Sequence, residues 1–497
     1  MLFNSIDFML FFPVVVLGYY LLPHKVRYIW VLVSSYYFYM CWNAAYGLIL
    51  FGTTGVTYLG ARILDKGYHF KDRGLTDKQR KIVVALVAVI CLSLLGFFKY
   101  TAFFLQNLQR IFSFLHITYT VPEFSILLPV GISFYLFQSL GYVIDVYRGD
   151  IQAEKNFLLY ATFISFFPQL VAGPIERADK LLTQFSERHM FDYQKVKENL
   201  LLMLWGLFMK MVVADRIAIF VDAVYNDYAN YGGWLLVIAT ILFAFQIYCD
   251  FAGYSTIAVG AAGVMGFTLM ENFKSPYCAS GVRDFWSRWH ISLTGWFKDY
   301  VYIPLGGNRR GKFRKNINTL IVFFLSGLWH GANWSFICWG FLNGIFIVLE
   351  DVIKEIRNKV YSVLKIKRDF VVLRLLKIII TFALVDFTWI FFRARGTKDA
   401  LNIIKKMSQL NNFNVFYDNT IYFYIMEKHC YIMMLISILV LIIVDVCHNH
   451  DIHFRTIISR QNIVVRWVLY FGLIMSILIL GVWGPSFNET AFIYFQF

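Results

Sequence analysis

Apolar segments separated by short polar ones run through the whole chain of 497 residues. The main apolar runs cover residues 8–22, 29–61, 82–98, 124–144, 200–221, 234–248, 320–329, 335–349, 373–392, 431–446 and 468–483. A helix needs about 20 such residues to cross a bilayer, so the shorter runs predict segments that enter and leave by one face. The pattern predicts an all-α polytopic membrane protein with about ten to thirteen membrane helices.

The composition favours one integral membrane body over a soluble protein. Hydrophobic residues make up 59% of the chain and charged residues 15%, whereas a typical soluble domain has about 25% charged residues. The N-terminus lacks a basic start and a small-residue cleavage site, so we interpret it as a retained first helix. Because no long linker or low-complexity tract divides the chain, we predict a single domain over residues 1–497, with an aromatic tail at 484–497.

The net charge of +15 comes from basic residues that lie between the apolar runs, notably in segments 65–81, 283–315 and 354–368. Such loops stay in the cytoplasm by the positive-inside rule, so the charge indicates membrane topology and does not indicate nucleic-acid binding. The seven cysteines include no pair with metal-ligand spacing. Neither a disulfide framework nor a metal site is therefore expected.

One histidine, His330, lies at the middle of the apolar stretch LSGLWHGANW. Both flanks of this stretch are basic, which predicts a re-entrant or short helical pair with His330 inside the membrane domain. Gly327 and Gly331 allow close helix approach, and Ser326 and Asn333 are spaced to hold the imidazole by hydrogen bonds. A neutral imidazole there can act as a general base, or it can be a satisfied core histidine, and spacing alone does not separate the two.

A second histidine, His290, lies in the basic and aromatic segment 283–311. If this segment is helical, Arg283, Trp286, His290 and Thr294 share a face, and Asp284 can pair with Arg288. Lys298, Arg309 and further cations surround a turn, PLGGN. They suit a pyrophosphate, an anionic carrier surface or lipid headgroups. The alternative is a positive-inside loop with tryptophans at the membrane interface.

The chain ends in an apolar aromatic motif, FIYFQF, with Tyr494 between phenylalanines. The segment 484–497 has no basic residue, which places it outside the cell. Such a tail either anchors at the membrane interface or folds back and brings the tyrosine hydroxyl to the site.

These motifs resemble the membrane-bound O-acyltransferase family. The resemblance rests on the WHGANW and RWHISL…YIPLGGNRRG segments, with further similarity at residues 127–149 and 166–185 and at FFRAR, and covers nearly the whole chain. Within the family it resembles the bacterial branch that includes the alginate and peptidoglycan O-acetyltransferases and the teichoic-acid D-alanyl transferase. It implies a ring of helices around a tunnel that crosses the membrane, with re-entrant segments, in the cell (plasma or inner) membrane.

The resemblance also implies roles for individual residues. His330 matches the catalytic histidine and His290 the second family position, and Tyr494 would carry the acyl group as a short-lived ester. A tyrosine motif on the chain itself favours the acetylating branch. The expected partners are membrane lipid and an extracytoplasmic transferase that receives the acyl group.

The leading hypothesis is an O-acyltransferase that moves an acyl group, with acetyl favoured, from a cytoplasmic thioester across the membrane to modify a polysaccharide or peptidoglycan. No resident cofactor is expected, and the donor is acetyl-CoA or an acyl-carrier protein. The candidate substrate-binding residues are Arg283, Trp286, Arg288, Lys298, Arg309, Ser326 and Asn333. The alternatives are transfer of D-alanine or another acyl group from a carrier protein to a cell-wall polymer, and a transporter without acyl chemistry.

Overall fold

The computed structural model describes residues 1–65, 75–117, 128–171, 173–363, 370–410 and 425–483. Every regular element within these ranges is helical, as the hydrophobic pattern predicts. The chain forms two compact units, each described separately below. The prediction of one domain over residues 1–497 stays a prediction.

The first unit comprises residues 1–199 and 258–270. Its helices are α1 (Ile6–Leu21), α2 (His24–Met40), α3 (Ala44–Leu64), α4 (Asp77–Leu95), α5 (Thr101–Phe114), α6 (Ile132–Arg148), α7 (Phe157–Ser165), α8 (Phe167–Leu170) and α9 (Ala178–Gln184). Helix α2 packs against α7, and α6 packs against both α3 and α4. The predicted interruption within 157–175 is present, because α7 ends at Ser165 and only the short α8 follows before Gly173 and Pro174.

The second unit comprises residues 200–257 and the described part of 271–497. The chain continues with α10 (Tyr193–Leu207), α11 (Asp215–Asn226), α12 (Gly233–Val264), α13 (Val282–Arg288), α14 (Ile291–Phe297), α15 (Gly311–His330), α16 (Trp334–Val363), α17 (Val371–Arg393), α18 (Thr397–Met407), α19 (Lys428–Asn449), α20 (Phe454–Ser459) and α21 (Ile463–Leu480). A π-helical segment, Phe208–Ala214, joins α10 to α11. Helix α16 packs against α15 and α17, and α13 contacts α16 and α17.

Seven helices of the described residues are long and apolar enough to cross a membrane. They are Ala44–Leu64, Asp77–Phe114, Gly233–Val264, Trp334–Val363, Val371–Arg393, Lys428–Asn449 and Ile463–Leu480. This is fewer than the predicted ten to thirteen, because several apolar runs form shorter helices. The run 8–22, for example, forms α1 of 16 residues. The protein is thus a multi-pass membrane protein whose apolar runs are not all complete spans.

Helices α15 and α16 form a helical pair with His330 at the turn, but the pair is longer than the predicted short one, since α15 has 20 residues and α16 has 30 and is long enough to cross a membrane. Contacts between them run antiparallel: Gly327 lies against Phe336, and Gly340 lies against Phe323. A methyl group on Gly327 would come within 2.4 Å of the Phe336 carbonyl oxygen, so only glycine permits this approach. The absence of a side chain at Gly327 therefore determines how closely the backbone of α15, which carries His330, approaches α16.

We expect the Gly327→Ala variant to lower the free energy of unfolding by ~1–3 kcal/mol, because the added methyl group forces the two backbones apart. A matched control is Gly472→Ala on α21, where an added methyl group meets nothing within 4 Å. That change should be neutral or stabilising, by up to ~1 kcal/mol, because alanine favours helix. Thermal unfolding in detergent measures both variants, and equal melting temperatures would contradict the close-packing argument.

Candidate active site

His290 lies between two helices and not within one. Helix α13 ends at Arg288, α14 begins at Ile291, and His290 has a left-handed backbone with φ of 45°. The prediction that Arg283, Trp286, His290 and Thr294 share one helical face is therefore wrong, since the helix breaks before the histidine. A left-handed residue other than glycine is unfavourable unless its surroundings hold it, and such residues concentrate at functional sites.

The His290 ring is enclosed by aromatic and neutral polar groups. Its side chain is 1% exposed. The Phe251 ring lies 4.7 Å from it, centroid to centroid, and Nδ1 lies 3.2 Å from Oδ1 of Asn272. Burial lowers the pKa of His290 to about 3. The imidazole is therefore uncharged at neutral pH, as a base must be before it accepts a proton.

His330 is the last residue of α15 and is 4% exposed. Its ring lies edge-on to the rings of Trp339 and Phe392, at centroid distances of 4.8 Å and 5.5 Å. The centroids of the His290 and His330 rings are 6.4 Å apart. Two histidines separated by 40 positions in the sequence thus lie in one buried enclosure, as required of residues that serve one reaction.

The enclosure is built largely from tryptophans, among which the sequence analysis singled out Trp286 but neither Trp339 nor Trp389. Trp339 is fully buried, stacks on Trp389 at 5.7 Å, and contacts Trp286 at 5.6 Å. Trp286, a predicted substrate-binding residue, donates its indole N–H to Asn343 at 3.2 Å. The indole N–H of Trp339 has no hydrogen-bond partner among the described residues. A buried donor next to His330 is a group that a bound carbonyl oxygen can satisfy.

The two polar neighbours predicted for His330 differ in their surroundings. Ser326 is buried on α15, one turn before the histidine. Asn333 accepts a hydrogen bond from the backbone N–H of Ser335 at 3.1 Å and donates one to the carbonyl oxygen of Arg395 at 3.0 Å. These contacts engage the amide of Asn333 at the start of α16 and tie the turn to the residues after α17, in place of the predicted imidazole contact.

Two of the predicted anion-binding cations are paired within the protein. Arg283 contacts Asp351 at 2.6 Å, and Arg288 contacts Asp284 at 2.7 Å. Arg288 also donates to the side chain of Asn449 at 2.7 Å. These contacts join α13 to α16 and α19, so both arginines help to hold the segment that carries His290. The predicted pair of Asp284 and Arg288 is present.

Other cations of the same segment are exposed and form no ion pair with any described residue. This cationic patch consists of Lys298, Arg309, Arg310 and Arg314. It surrounds a turn in which Gly306 and Gly307 have φ of 101° and 55°, a conformation that favours glycine. The patch is the part of the basic segment whose charges remain open to an anionic ligand.

Tyr494 lies outside the described residues, but the last described residues before it contact the segment that contains Lys210 and Met211. The backbone N–H of Val482 donates to the carbonyl oxygen of Met211 at 3.2 Å. The neighbouring Lys210 is ion-paired with Asp250 at 2.6 Å, and Asp250 precedes Phe251, whose ring contacts His290. The beginning of the tail thus lies in the same packed region as His290.

The geometry permits acid–base chemistry in a site closed to water. Two buried imidazoles can accept and return a proton, and an aromatic enclosure keeps a reactive acyl group from hydrolysis. Because both rings are almost fully buried, entry of a substrate requires the surrounding side chains to move.

Comparison with known proteins identifies acyl-transfer enzymes as relatives of this chain. The profile of MBOAT, the membrane-bound O-acyltransferase family, matches residues 152–382. A probable alginate O-acetylase of Pseudomonas aeruginosa is 37% identical over 84% of this chain and 78% of its own length. A peptidoglycan O-acetyltransferase of Helicobacter pylori is 32% identical over 100% of this chain and 98% of its own length. A teichoic acid D-alanyltransferase of Streptococcus thermophilus is 31% identical over 46% of this chain and 58% of its own length.

Proposed function

Because this chain belongs to the membrane-bound O-acyltransferase family, we propose that it moves an acetyl group from a cytoplasmic thioester across the membrane, for O-acetylation of an extracellular polysaccharide or peptidoglycan. The chain is an acyltransferase, and its relatives are acyl-transfer enzymes by name, which disfavours the transporter hypothesis. The observation that carries the proposal is the pair of buried imidazoles 6.4 Å apart.

In the proposed reaction His330 is the general base. It takes the proton of an acceptor hydroxyl as the hydroxyl oxygen attacks the thioester carbonyl carbon. The carbon–sulfur bond then breaks, the sulfur leaves with the bonding electrons, and the proton passes from His330 to the thiolate. His290 shares the proton work or polarises the carbonyl. The buried indole N–H of Trp339, whose ring lies 4.8 Å from that of His330, is assigned to donate to the oxygen on which negative charge develops.

The acceptor hydroxyl of the first step is assigned to Tyr494. An extended chain covers at most ~3.3–3.6 Å per residue, and twelve positions separate Val482 from Tyr494. The tail can therefore reach roughly 40 Å from its anchor. That reach includes the histidine site, because the anchor lies in the same packed region as His290. A tyrosyl ester at the outer face would then pass its acetyl group to an extracytoplasmic transferase.

The cationic patch is proposed as the docking site of the donor, with acetyl-CoA favoured over an acyl-carrier protein. Coenzyme A carries several phosphates, and guanidinium groups bind phosphate in a bidentate manner. The patch follows the segment of His290 directly in sequence. Lys298 and Arg309 are therefore assigned to donor binding, whereas the paired Arg283 and Arg288 position α13.

Removing donor-binding charges should raise KM for the donor and leave kcat unchanged. Each of Lys298→Ala and Arg309→Ala is expected to raise KM for acetyl-CoA about two- to fivefold, since one exposed charge contact contributes ~0.5–1 kcal/mol. The effect should shrink at high salt. Lys312→Ala is the matched control, because this exposed lysine pairs with Glu355 and lies outside the patch. An equal rise in KM for the control would contradict the assignment.

The proposed function is tested with purified full-length protein and acetyl-CoA labelled in the acetyl group. Label on the protein and release of free thiol, both dependent on His330, are the expected results. If acetyl-CoA leaves no label but a D-alanyl carrier protein does, the D-alanyl alternative is correct. If neither donor reacts and His330→Ala has no effect, the acyl-transfer mechanism proposed for this site is wrong. The proposed location is the plasma or inner membrane. In protein reconstituted into such a membrane, the acceptor can be supplied on the outer side, so transfer across the membrane can be measured.

A further inference from the structure

A buried asparagine, Asn272, holds the short segment that carries His290. Its backbone carbonyl oxygen accepts a hydrogen bond from Ile291 N–H at 2.9 Å. Its side-chain oxygen accepts from the backbone N–H of Ser292 at 3.2 Å and from the Ser292 hydroxyl at 2.9 Å. Asn272 is 2% exposed. Main chain and side chain of one residue thus hold the break between α13 and α14, where His290 has its left-handed conformation.

The same oxygen determines which ring nitrogen of His290 carries the proton. The backbone N–H of Ser292 can only donate, so the Asn272 atom that faces it is the carbonyl oxygen and not the amide nitrogen. This oxygen can only accept, and His290 Nδ1 lies 3.2 Å from it. Nδ1 must therefore donate, and the uncharged imidazole keeps its lone pair on Nε2, the nitrogen farther from Asn272.

We propose that Asn272 is a positioning residue that sets the orientation and tautomer of His290, so that Nε2 serves the acyl-transfer site as an acceptor. The inference rests on the proposed function only in taking His290 as part of that site. Nothing in the local sequence pattern marks Asn272, which lies 18 positions before the histidine and outside any helix.

The surroundings of His290 explain why an amide is suited to this position. The described residues that contact the ring include Phe251 on α12, Trp329 and His330 on α15, and the neutral Asn272 and Ser292. His330 is the titratable residue among them, and the carboxylate of Asp250 beside Phe251 is ion-paired with Lys210. A neutral acceptor at Nδ1 orients the ring without favouring its charged form, whereas a carboxylate would stabilise imidazolium.

Two substitutions separate positioning from simple structural support. Asn272→Asp keeps the accepting oxygen, and it gives up no hydrogen bond that the described residues make, because the amide nitrogen of Asn272 has no partner among them. Asn272→Leu has similar size and removes the acceptor. We expect Asn272→Leu to lower kcat for thiol release from acetyl-CoA by ~10–100-fold, the range typical of losing a hydrogen-bond partner that orients a metal-ligating histidine. The donor KM should remain within twofold.

The pH profile is the second readout. Asn272→Asp should recover most of the parental kcat at high pH and lose it as pH falls, because the carboxylate raises the pKa of His290 and only the uncharged ring can accept a proton. An opposite charge within hydrogen-bonding distance raises the pKa of a histidine by ~1–3. The acid limb of the curve of kcat against pH should therefore move to higher pH by up to that amount. If Asn272 only supported the fold of this segment, the acid limb of Asn272→Asp would lie at the same pH as that of the parent.

Ser292→Ala is the matched control. It removes one hydrogen bond to the same oxygen and the 3.5 Å contact of the Ser292 hydroxyl to Nδ1, and it leaves the 3.2 Å contact between Asn272 and Nδ1. The kcat should therefore fall much less than in Asn272→Leu, and the pH profile should stay close to that of the parent. The proposal is overturned if Asn272→Leu retains the parental kcat, if Ser292→Ala loses as much activity as Asn272→Leu, or if the acid limb of Asn272→Asp coincides with that of the parent. An inactive parent would instead count against the proposed function, so the two failures are distinguishable.

Discussion

The His330→Ala variant is expected to transfer acetyl groups about 10²–10⁴-fold more slowly than the parent, the usual contribution of a positioned general base. His330 contacts aromatic rings on two helices other than its own, α16 and α17, and its ring centroid lies 6.4 Å from that of His290. We expect that His290 assists the proton transfer and does not replace His330 as the base. The loss should appear in kcat, because the imidazole acts on the transition state and not on donor binding.

The measurement is initial-rate thiol release and label transfer with purified protein. His450→Ala serves as the control, because His450 is an exposed histidine at the end of α19 and should keep the parental rate. The double variant His290→Ala/His330→Ala should be little slower than His330→Ala, since residues that act as a unit are not additive. A multiplicative loss would show that the two imidazoles act independently, and a parental rate for His330→Ala would remove it from the mechanism.

The Tyr494→Phe variant is expected to lose transfer to the outer acceptor completely, because the phenyl ring has no hydroxyl to form an ester. Slow release of thiol to water can persist, since donor binding and the histidines are unchanged. The predicted result is therefore a split: no acetyl on the C-terminal peptide and none on the acceptor, with residual hydrolysis of acetyl-CoA.

Mass spectrometry of the C-terminal peptide after incubation with donor gives the direct readout. In the parent the peptide should gain one acetyl group on Tyr494, and hydroxylamine should remove it, as expected of an ester. Tyr470→Phe, on α21, makes the same chemical change before the tail and should have no effect. An unmodified peptide in a preparation that acetylates its acceptor would show that the acetyl group travels by another route.

Much of the site could be predicted because ionisable residues in apolar segments are rare and costly. His330 stands out in LSGLWHGANW, and the glycine spacing around it predicts the close helical pair that the structure contains. The family and the acyl-transfer class followed from the same motifs and are confirmed by the comparisons. Such candidate residues can be recognised from sequence because the signal, an ionisable side chain in an apolar segment, is contained in the residues next to them.

Other parts of the site could not be predicted because they depend on distances in space. The break before His290 was missed, since the contacts that hold it come from Asn272, 18 positions away. Trp339 and Phe392 contact His330 from two other helices, and no local pattern separates them from ordinary core aromatics. The basic segment looked uniform, yet Asp351 and Asp284 neutralise two of its arginines and leave others exposed.

The sequence by itself determined the helical class and the membrane environment, because hydrophobic periodicity is a local property of a chain. It also contained the motifs by which the family was recognised and the two candidate histidines were chosen. Only the tertiary structure decided which groups surround the imidazoles, which nitrogen of His290 keeps its lone pair, and which cations remain available to a ligand. Those properties arise from hydrogen bonds and ion pairs between residues distant in the chain, and packing alone brings such residues within bonding distance.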